Sequence, residues 1–329
     1  METRRLMRRR VLLAGAAAAW CATGVGRAAT PTGRTIRILV GFPPGQATDM
    51  VARMMAEKLA AETGDNYIVE NKPGQGGSLG LGYLAKAPKD GSVMMLAHMS
   101  AVATNPHMYK SVAYDSTKDF SAIGLVGDLP FVLVANPSMP FTNVAELIAY
   151  AKANPGKLTN ASSGNGTVSH LAMEEFKRFA GVDIVHVPYQ GSSRGLTDVM
   201  AGAVSIALET AAATKPLIEA GKLRFIGAGS AQRLDGVLSG PTLREQGVKD
   251  FTASTWLMLM YPAGVPQSMV DDSFAVLKKV ADTPDFKQRL RAIGALPRFS
   301  ASPAEAHAYV QSEYKYWGEV VKRSGVSLS

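Results

Sequence analysis

From Ile36 onward, short apolar runs alternate with stretches whose apolar residues recur every three to four positions, and this alternation restricts the chain to an α/β architecture. Residues 36–41 (IRILVG) have the continuous apolar character of a buried strand. Residues 49–63 place Val51, Met54, Met55, Leu59 and Ala60 on one helical face. A second pair follows, with a strand at 67–70, a glycine-rich turn at 73–77 and a helix at 79–85, and then a strand at 93–97. Another apolar run, 131–135, opens a separate series. Its helices are expected at 144–153, 169–179, 195–201 and 211–220, and its strands at 158–161, 184–187, 204–208 and 223–228. A turn-rich region, 230–250, leads into an apolar run at 256–261 and a helical tail at 268–281, 284–293 and 303–323. Largely parallel sheets are the expectation, because each strand is separated from the next by helix length.

No repeat and no long polar linker separates the two series, so the chain is expected to cross between two lobes more than once, with the tail on the first. The boundaries that follow are residues 29–128 with 254–329 for domain 1 and 129–253 for domain 2. In open α/β sheets the loops at strand carboxyl ends bind ligands, and two such lobes place those loops across a common cleft.

The formal charge of +8 suggests nucleic acid or membrane until its position is considered. Arg4, Arg5, Arg8, Arg9 and Arg10 precede an alanine-rich apolar run from Val11 to Trp20, with small residues near Ala28. This is the pattern of an export signal of the twin-arginine or general secretory kind, too short to remain as a spanning helix. Losing residues 1–28 removes six arginines and Glu2 and takes the formal charge from +8 to +3. The remaining body carries no arginine or lysine stripe interleaved with aromatics, so no nucleic-acid partner is expected. The single cysteine, Cys21, falls inside the signal, which leaves a mature chain without disulfides, thiol chemistry or cysteine-bound metal. Trp20 stands where a lipoprotein signal requires a small residue, and this tells against acylation of Cys21.

Two strand-to-helix corners carry the most chemical information. Residues 41–49 (GFPPGQATD) join the first strand to the first long helix. Gly45 permits close backbone approach, Thr48 or Asp49 is expected to cap the helix, and the N–H groups at a helix start favour an anion. The segment has neither the G-x-G-x-x-G nor the P-loop spacing, which excludes the usual nucleotide sites. Residues 160–170 (NASSGNGTVSH) present the same chemistry in the second series, where Ser163, Gly166 and Thr167 offer hydroxyls and amides before a helix. An ordinary capping turn has the same composition, so spacing alone leaves both readings open for each corner.

His170 and His186 have no partner at metal-ligand spacing, and Ser162 and Ser163 sit in no G-x-S-x-G elbow, so no cofactor, metal site or catalytic residue is assigned. Tyr189, at the end of a strand, is read either as a cleft wall or as a core residue with its hydroxyl tethered. Glu209 follows an apolar strand and is expected at a sheet's carboxyl edge, where it would repel a carboxylate and attract an amino group.

In fixed order, VGFPPGQATDMVAR, ENKPGQGGSLGLGYLAKAPKDG, SSGNGTVSHLAMEEF, HVPYQGSSRGLTDVMAG and AGKLRFIGAG resemble the extracytoplasmic receptors of tripartite tricarboxylate transporters, the Bug family, over about Ile36 to Trp317. The resemblance implies a two-lobed periplasmic binding fold of the type II kind. Such a protein is a monomer without enzymatic activity that closes on a small carboxylate and hands it to membrane permease subunits. Matched to the motifs, the implied ligand-binding residues are Phe42, Gln46, Ala47, Thr48 and Asp49 in the first corner. Ser163, Gly166, Thr167 and His170 belong to the second, with Tyr189, Ser100 and Glu209 completing the pocket. Two departures stand out, and both are expected to narrow or re-polarise the pocket: Gln46 replaces a glycine usual in the family, and His98 and Met99 occupy positions where smaller residues are common. The alternatives are a periplasmic sensor that signals its liganded state, and an exported hydrolase or isomerase using His170.

Overall fold

The structure, a computed structural model, describes residues 33–249 and 251–324. The expected export signal and its cleavage point near Ala28 lie outside the described residues.

The chain begins with β1 (Thr35–Val40), α1 (Ala47–Thr63), β2 (Asn66–Asn71), α2 (Ser78–Ala85) and β3 (Val93–His98). β1 lies between β2 and β3 in parallel register, with Ile38 opposite Val69 on one side and Met94 on the other. Every residue of β3 is buried, as expected for a strand covered on both faces. After it the chain forms a π-helical turn, Ser100–Thr104, and the short α3 (Asn105–Met108). The long strand β4 (Phe120–Ala135) follows.

The second series comprises α4 (Val144–Ala153), β5 (Thr159–Ser162), α5 (Val168–Ala180), β6 (Val185–Pro188), α6 (Ser192–Met200), β7 (Ile206–Thr210), α7 (Ala211–Glu219) and β8 (Arg224–Ala228). The chain then returns through β9 (Ser254–Pro262), α8 (Gln267–Asp282), α9 (Pro284–Ala292), β10 (Leu296–Pro297) and α10 (Pro303–Ser324).

The strand order is β2-β1-β3-β9-β4-β7-β5-β6, with β8 and β10 both paired to β4. β4 belongs to two sheets in succession. From Phe120 to Pro130 it runs antiparallel to β9, and from Phe131 to Ala135 it runs antiparallel to β7 and β8. Pro130, which has no N–H to give a ladder, stands where the partner changes. Here the sheets differ from the expectation of largely parallel pairing: the outer strands of each are parallel, but every pair at the joint is antiparallel. The first half of β4 also escapes periodicity, because FSAIGLVGDLP interrupts its apolar residues with glycines, Asp128 and Pro130. Bulges between Ala122 and Gly124 and between Leu125 and Gly127 absorb the irregularity.

One apolar cluster joins Ile38, Val51, Met55, Leu259, Phe286 and Leu290, sandwiching the first sheet against α1, α8 and α9. A larger one runs through the joint, from Met95 and Leu81 to Phe131, Leu208, Phe176 and Trp256, so both sheets share a continuous core. The helical tail divides its contacts. α8 packs on α1 and β4, whereas α10 lies against β4, α3 and also α5 of the second series. It therefore reaches beyond the first lobe. Trp256 Nε1 donates to Glu313 Oε2 at 2.8 Å and ties α10 to the joint.

Candidate functional site

The first corner is held from beneath. Gly41 passes so close to the 73–77 turn that a Cβ there would stand 2.6 Å from Gly77 Cα, which requires glycine. Gln46, not Thr48 or Asp49, occupies the position before α1, and its side chain makes no capping bond. Asp49 turns back instead: its carboxylate accepts the Gly45 N–H at 2.8 Å, Asn71 Nδ2 at 3.0 Å and two Arg53 nitrogens at 2.9 Å. Burial alone would raise this carboxyl, but the bonds from Arg53, Gly45 and Asn71 outweigh it and hold Asp49 below the usual carboxylate range. Asp49 is thus a brace of the corner, and the expectation that it caps α1 is corrected.

The second corner repeats the arrangement with neutral groups. Thr167 precedes α5 without a capping bond, and its Oγ1 donates to Gly164 O at 2.7 Å. Ser169 Oγ accepts the Ser163 N–H at 2.9 Å, and His170 Nδ1 accepts the Gly166 N–H at 3.3 Å. His170 stacks on His186 with ring centroids 3.9 Å apart, and His186 Nε2 lies 2.6 Å from Ser162 Oγ. Burial lowers both imidazoles to about 4, so the pair is neutral and structural near pH 7.

Contacts between the series draw the corners together. The Val168 N–H donates to Ser100 Oγ at 3.3 Å, and Thr104 Oγ1 donates to Gly166 O at 3.0 Å. The Gln46 side chain reaches across to cover Gly191, where a Cβ would collide with its Nε2. The cleft so formed has two parts. An outer chamber of about 350 Å³ lies between the 41–43 and 73–76 segments on one side and the 163–165 and 188–191 segments on the other. An inner chamber of about 20 Å³ lies between the starts of α1 and α5. Phe42 and Ser163 line both.

Of the residues singled out in the sequence, Gln46, Ala47, Thr48, Thr167 and Glu209 line the inner chamber with Phe42 and Ser163, and Tyr189 lines the outer one. Asp49, Ser100, Gly166 and His170 line neither. They stand behind the wall and fix its shape through the bonds above. Tyr189 walls the outer chamber and, although only half-buried and not a core residue, has its hydroxyl tethered, donating to Asp198 Oδ2 at 2.6 Å. Burial and then Asp198 raise that phenol to about 12.

Sequence reasoning assigned no site role to Phe131, Ser192 and Thr210 of the inner chamber, nor to Gln75, Gly76 and Tyr109 of the outer one. His98, expected as a departure that narrows or re-polarises the pocket, lines the inner chamber. Its ring meets Phe42 edge-on at 4.9 Å, burial lowers it to about 3, and its Nδ1 accepts the Ser100 N–H at 3.1 Å. The positive φ of 48° at the non-glycine Gln75 marks its turn as constrained, which no sequence pattern announces.

Glu209 has a different setting from the other lining groups. It is 3% exposed, and its Oε1 has no hydrogen-bond partner. Burial raises the carboxyl to about 7, against a weaker opposing pull from the Ser169 and Ser163 hydroxyls and the Thr210 and Ser163 N–H groups. None of the residues lining the two chambers is lysine or arginine. Among the described residues, no group of three or more His, Cys, Asp or Glu is placed to hold a metal ion.

The chain is similar in sequence and fold to known proteins. Residues 51–326 match the family described as tripartite tricarboxylate transporter family receptor (TctC). BugT of Bordetella pertussis is 32% identical over 296 residues, covering 90% of this chain and 90% of BugT. Among solved structures, an R. palustris protein with adipate superposes with a TM-score of 0.86 at 33% identity, covering 90% of this chain and 99% of that one. MatC from Rhodopseudomonas palustris with bound malate gives 0.81 at 28% identity, over 89% of this chain and 100% of its own. The periplasmic binding protein BugD gives 0.83 at 31% identity, over 89% and 98%. The fold is therefore the two-lobed α/β fold of periplasmic solute-binding proteins, and the chain belongs to the tripartite tricarboxylate transporter receptor family.

Proposed function

We propose that the protein is an exported receptor that captures a small carboxylic acid between its lobes and delivers it to membrane permease subunits. The observation that carries this reading is the pair of helix starts, α1 behind Gln46 and α5 behind Thr167, whose preceding side chains make no capping bond and which face one hydroxyl-lined chamber from opposite sides. Each offers N–H groups and a partial positive charge, and a carboxylate between them fills acceptors that would otherwise be costly to desolvate. Closure follows from differential contact, since only the closed arrangement lets both corners bond the same anion. Adipate and malate in the related structures support the ligand class. The lobes are assigned to residues 29–128 with 254–329 and to 129–253, meeting at the partner switch beside Pro130 and Ala253. The implied ligand set is Phe42, Gln46, Ala47, Thr48, Ser163, Thr167, Tyr189 and Glu209 at the walls, with Asp49, Ser100, Gly166 and His170 supporting them. The protein works as a monomer in the periplasm after cleavage near Ala28.

A hydrolytic role finds little support. The Ser162 hydroxyl that meets His186 is buried, already accepts the Gly164 N–H at 3.2 Å, and lines neither chamber. His170 is stacked and neutral, and its Nδ1 is occupied by the Gly166 N–H. Thermal unfolding of the mature protein against mono- and dicarboxylates, adipate and malate included, tests the proposal. A ligand at a hundred times its dissociation constant adds about 2.7 kcal/mol of stability. Absence of a shift with every acid, or turnover of any of them, would reject the receptor reading.

A further inference from the structure

The inner chamber brings two negative groups together without a cation. Glu209 sits on its wall, almost wholly buried, with an orphaned Oε1, and the ligand carboxylate proposed above enters the same space. The helix starts of α1 and α5 supply the positive potential, roughly +0.5 charge each, so together they offset about one anion. The chamber's volume of about 20 Å³ is near that needed for a single water, so no hydration shell is available to separate two charges. A buried carboxylate left unpaired is strongly unfavourable, and neutralisation is the usual relief.

From this geometry, and resting on the receptor reading, we infer that Glu209 is the proton-bearing specificity residue of the pocket: it binds the ligand carboxylate as a neutral acid, donating its own O–H, and ligand capture takes up one proton from solvent. The proton bonds to a Glu209 oxygen and no other bond is made or broken. A short O–H···O⁻ bond between acid and carboxylate then satisfies the orphaned oxygen and one ligand acceptor at once. The carboxyl is already raised to about 7 by burial, so in the free protein it titrates near neutrality and an adjacent anion raises it further.

The other ionisable groups around the chamber are not rivals for that proton. His98 of β3 shares the wall but is held neutral by burial, with its Nδ1 already accepting the Ser100 N–H. Asp49 of α1 is turned to Arg53 and Asn71. On α5 and β6, His170 and His186 are stacked on each other and neutral. Asp128, on the β9-paired half of β4, faces Arg298 at 3.3 Å.

Calorimetry with adipate and with malate in buffers of differing ionisation enthalpy counts the protons. At pH 8 the wild type is expected to take up close to one, and its affinity to fall about tenfold per pH unit above that. Glu209→Gln, an amide mimic of the neutral acid, is expected to take up none and to bind with a flat pH profile. Binding by the wild type without proton uptake, or equal uptake in Glu209→Gln, overturns the inference while leaving the receptor reading intact. Failure of every carboxylate to bind removes both. Should Glu209→Gln fail to fold, isotope-edited infrared spectra of the wild type decide: a protonated-carboxyl band must grow when adipate is added at pH 8, and its absence overturns the assignment.

Discussion

Gly191 is the position at which the closed cleft can be tested most directly. It precedes α6 with φ 111° and ψ 164°, a region open to essentially no residue but glycine, and its N–H donates to Ser163 O at 3.0 Å. Gly191→Ala therefore carries two separable penalties. The backbone strain, of order 1–3 kcal/mol, falls on the folded state whether or not ligand is present. The collision of the new methyl with Gln46 Nε2 arises only when the corners meet, and a flexible glutamine can partly evade it. Urea unfolding without ligand is expected to show the first, as about 1–3 kcal/mol less stability in Gly191→Ala and little change in Gln46→Ala. Adipate calorimetry is expected to show the second, as weaker binding by Gly191→Ala that Gln46→Ala partly restores, with a coupling of about 0.5–3 kcal/mol between the sites. Wild-type stability in Gly191→Ala, together with strict additivity in the binding cycle to within about 0.5 kcal/mol, would refute both the backbone geometry and the closed contact.

Thr48→Ala and, with its hydroxyl turning from Gly164 O to the anion on binding, Thr167→Ala are each expected to weaken carboxylate binding by about 1–3 kcal/mol, the loss typical of a hydrogen bond to a charged group. Wild-type calorimetric affinity in both would reject their place at the anion. Thr167→Ala also removes the bond to Gly164 O and should lower unfolding stability, an effect Thr48→Ala need not share. His98, lowered to about 3, and His170 and His186, lowered to about 4, resist protonation when folded, while the unfolded chain takes up protons near 6.5. Their contribution to stability is complete above pH 6.5 and is lost as pH falls from there, toward 4 for His170 and His186 and toward 3 for His98. Urea midpoints that stay level from pH 7 to pH 4 would show these imidazoles to be solvated.

The helices other than the short α3, and the buried strands other than the first half of β4, were legible because their signals are local. α4 and α10 begin where the sequence places them, and β3 is betrayed by its unbroken apolar run. The two corners were legible as strand-to-helix turns for a similar reason, while their composition alone left capping and anion binding both open. Failures came where a neighbour decides. Asp49 looks like a cap or a ligand group until Arg53 and Asn71 are brought beside it, and the first half of β4 is a strand only because β9 pairs with it through its bulges. Ser100 and His170 carry the right chemistry but point it at the Val168 and Gly166 N–H groups.

The sequence by itself determined the alternation of strand and helix, the glycine- and hydroxyl-rich turns of the two corners and, through its ordered motifs, the family. These are properties of residues within a few positions of one another or of long matched stretches. Only the tertiary structure decided that β4 would join both sheets, that Gln46 would rest over Gly191, and that Glu209 would enter a chamber without a cation. Each of those depends on which residues distant in the chain become neighbours, and the electrostatic state of a carboxyl is set by such neighbours and by the loss of water around it.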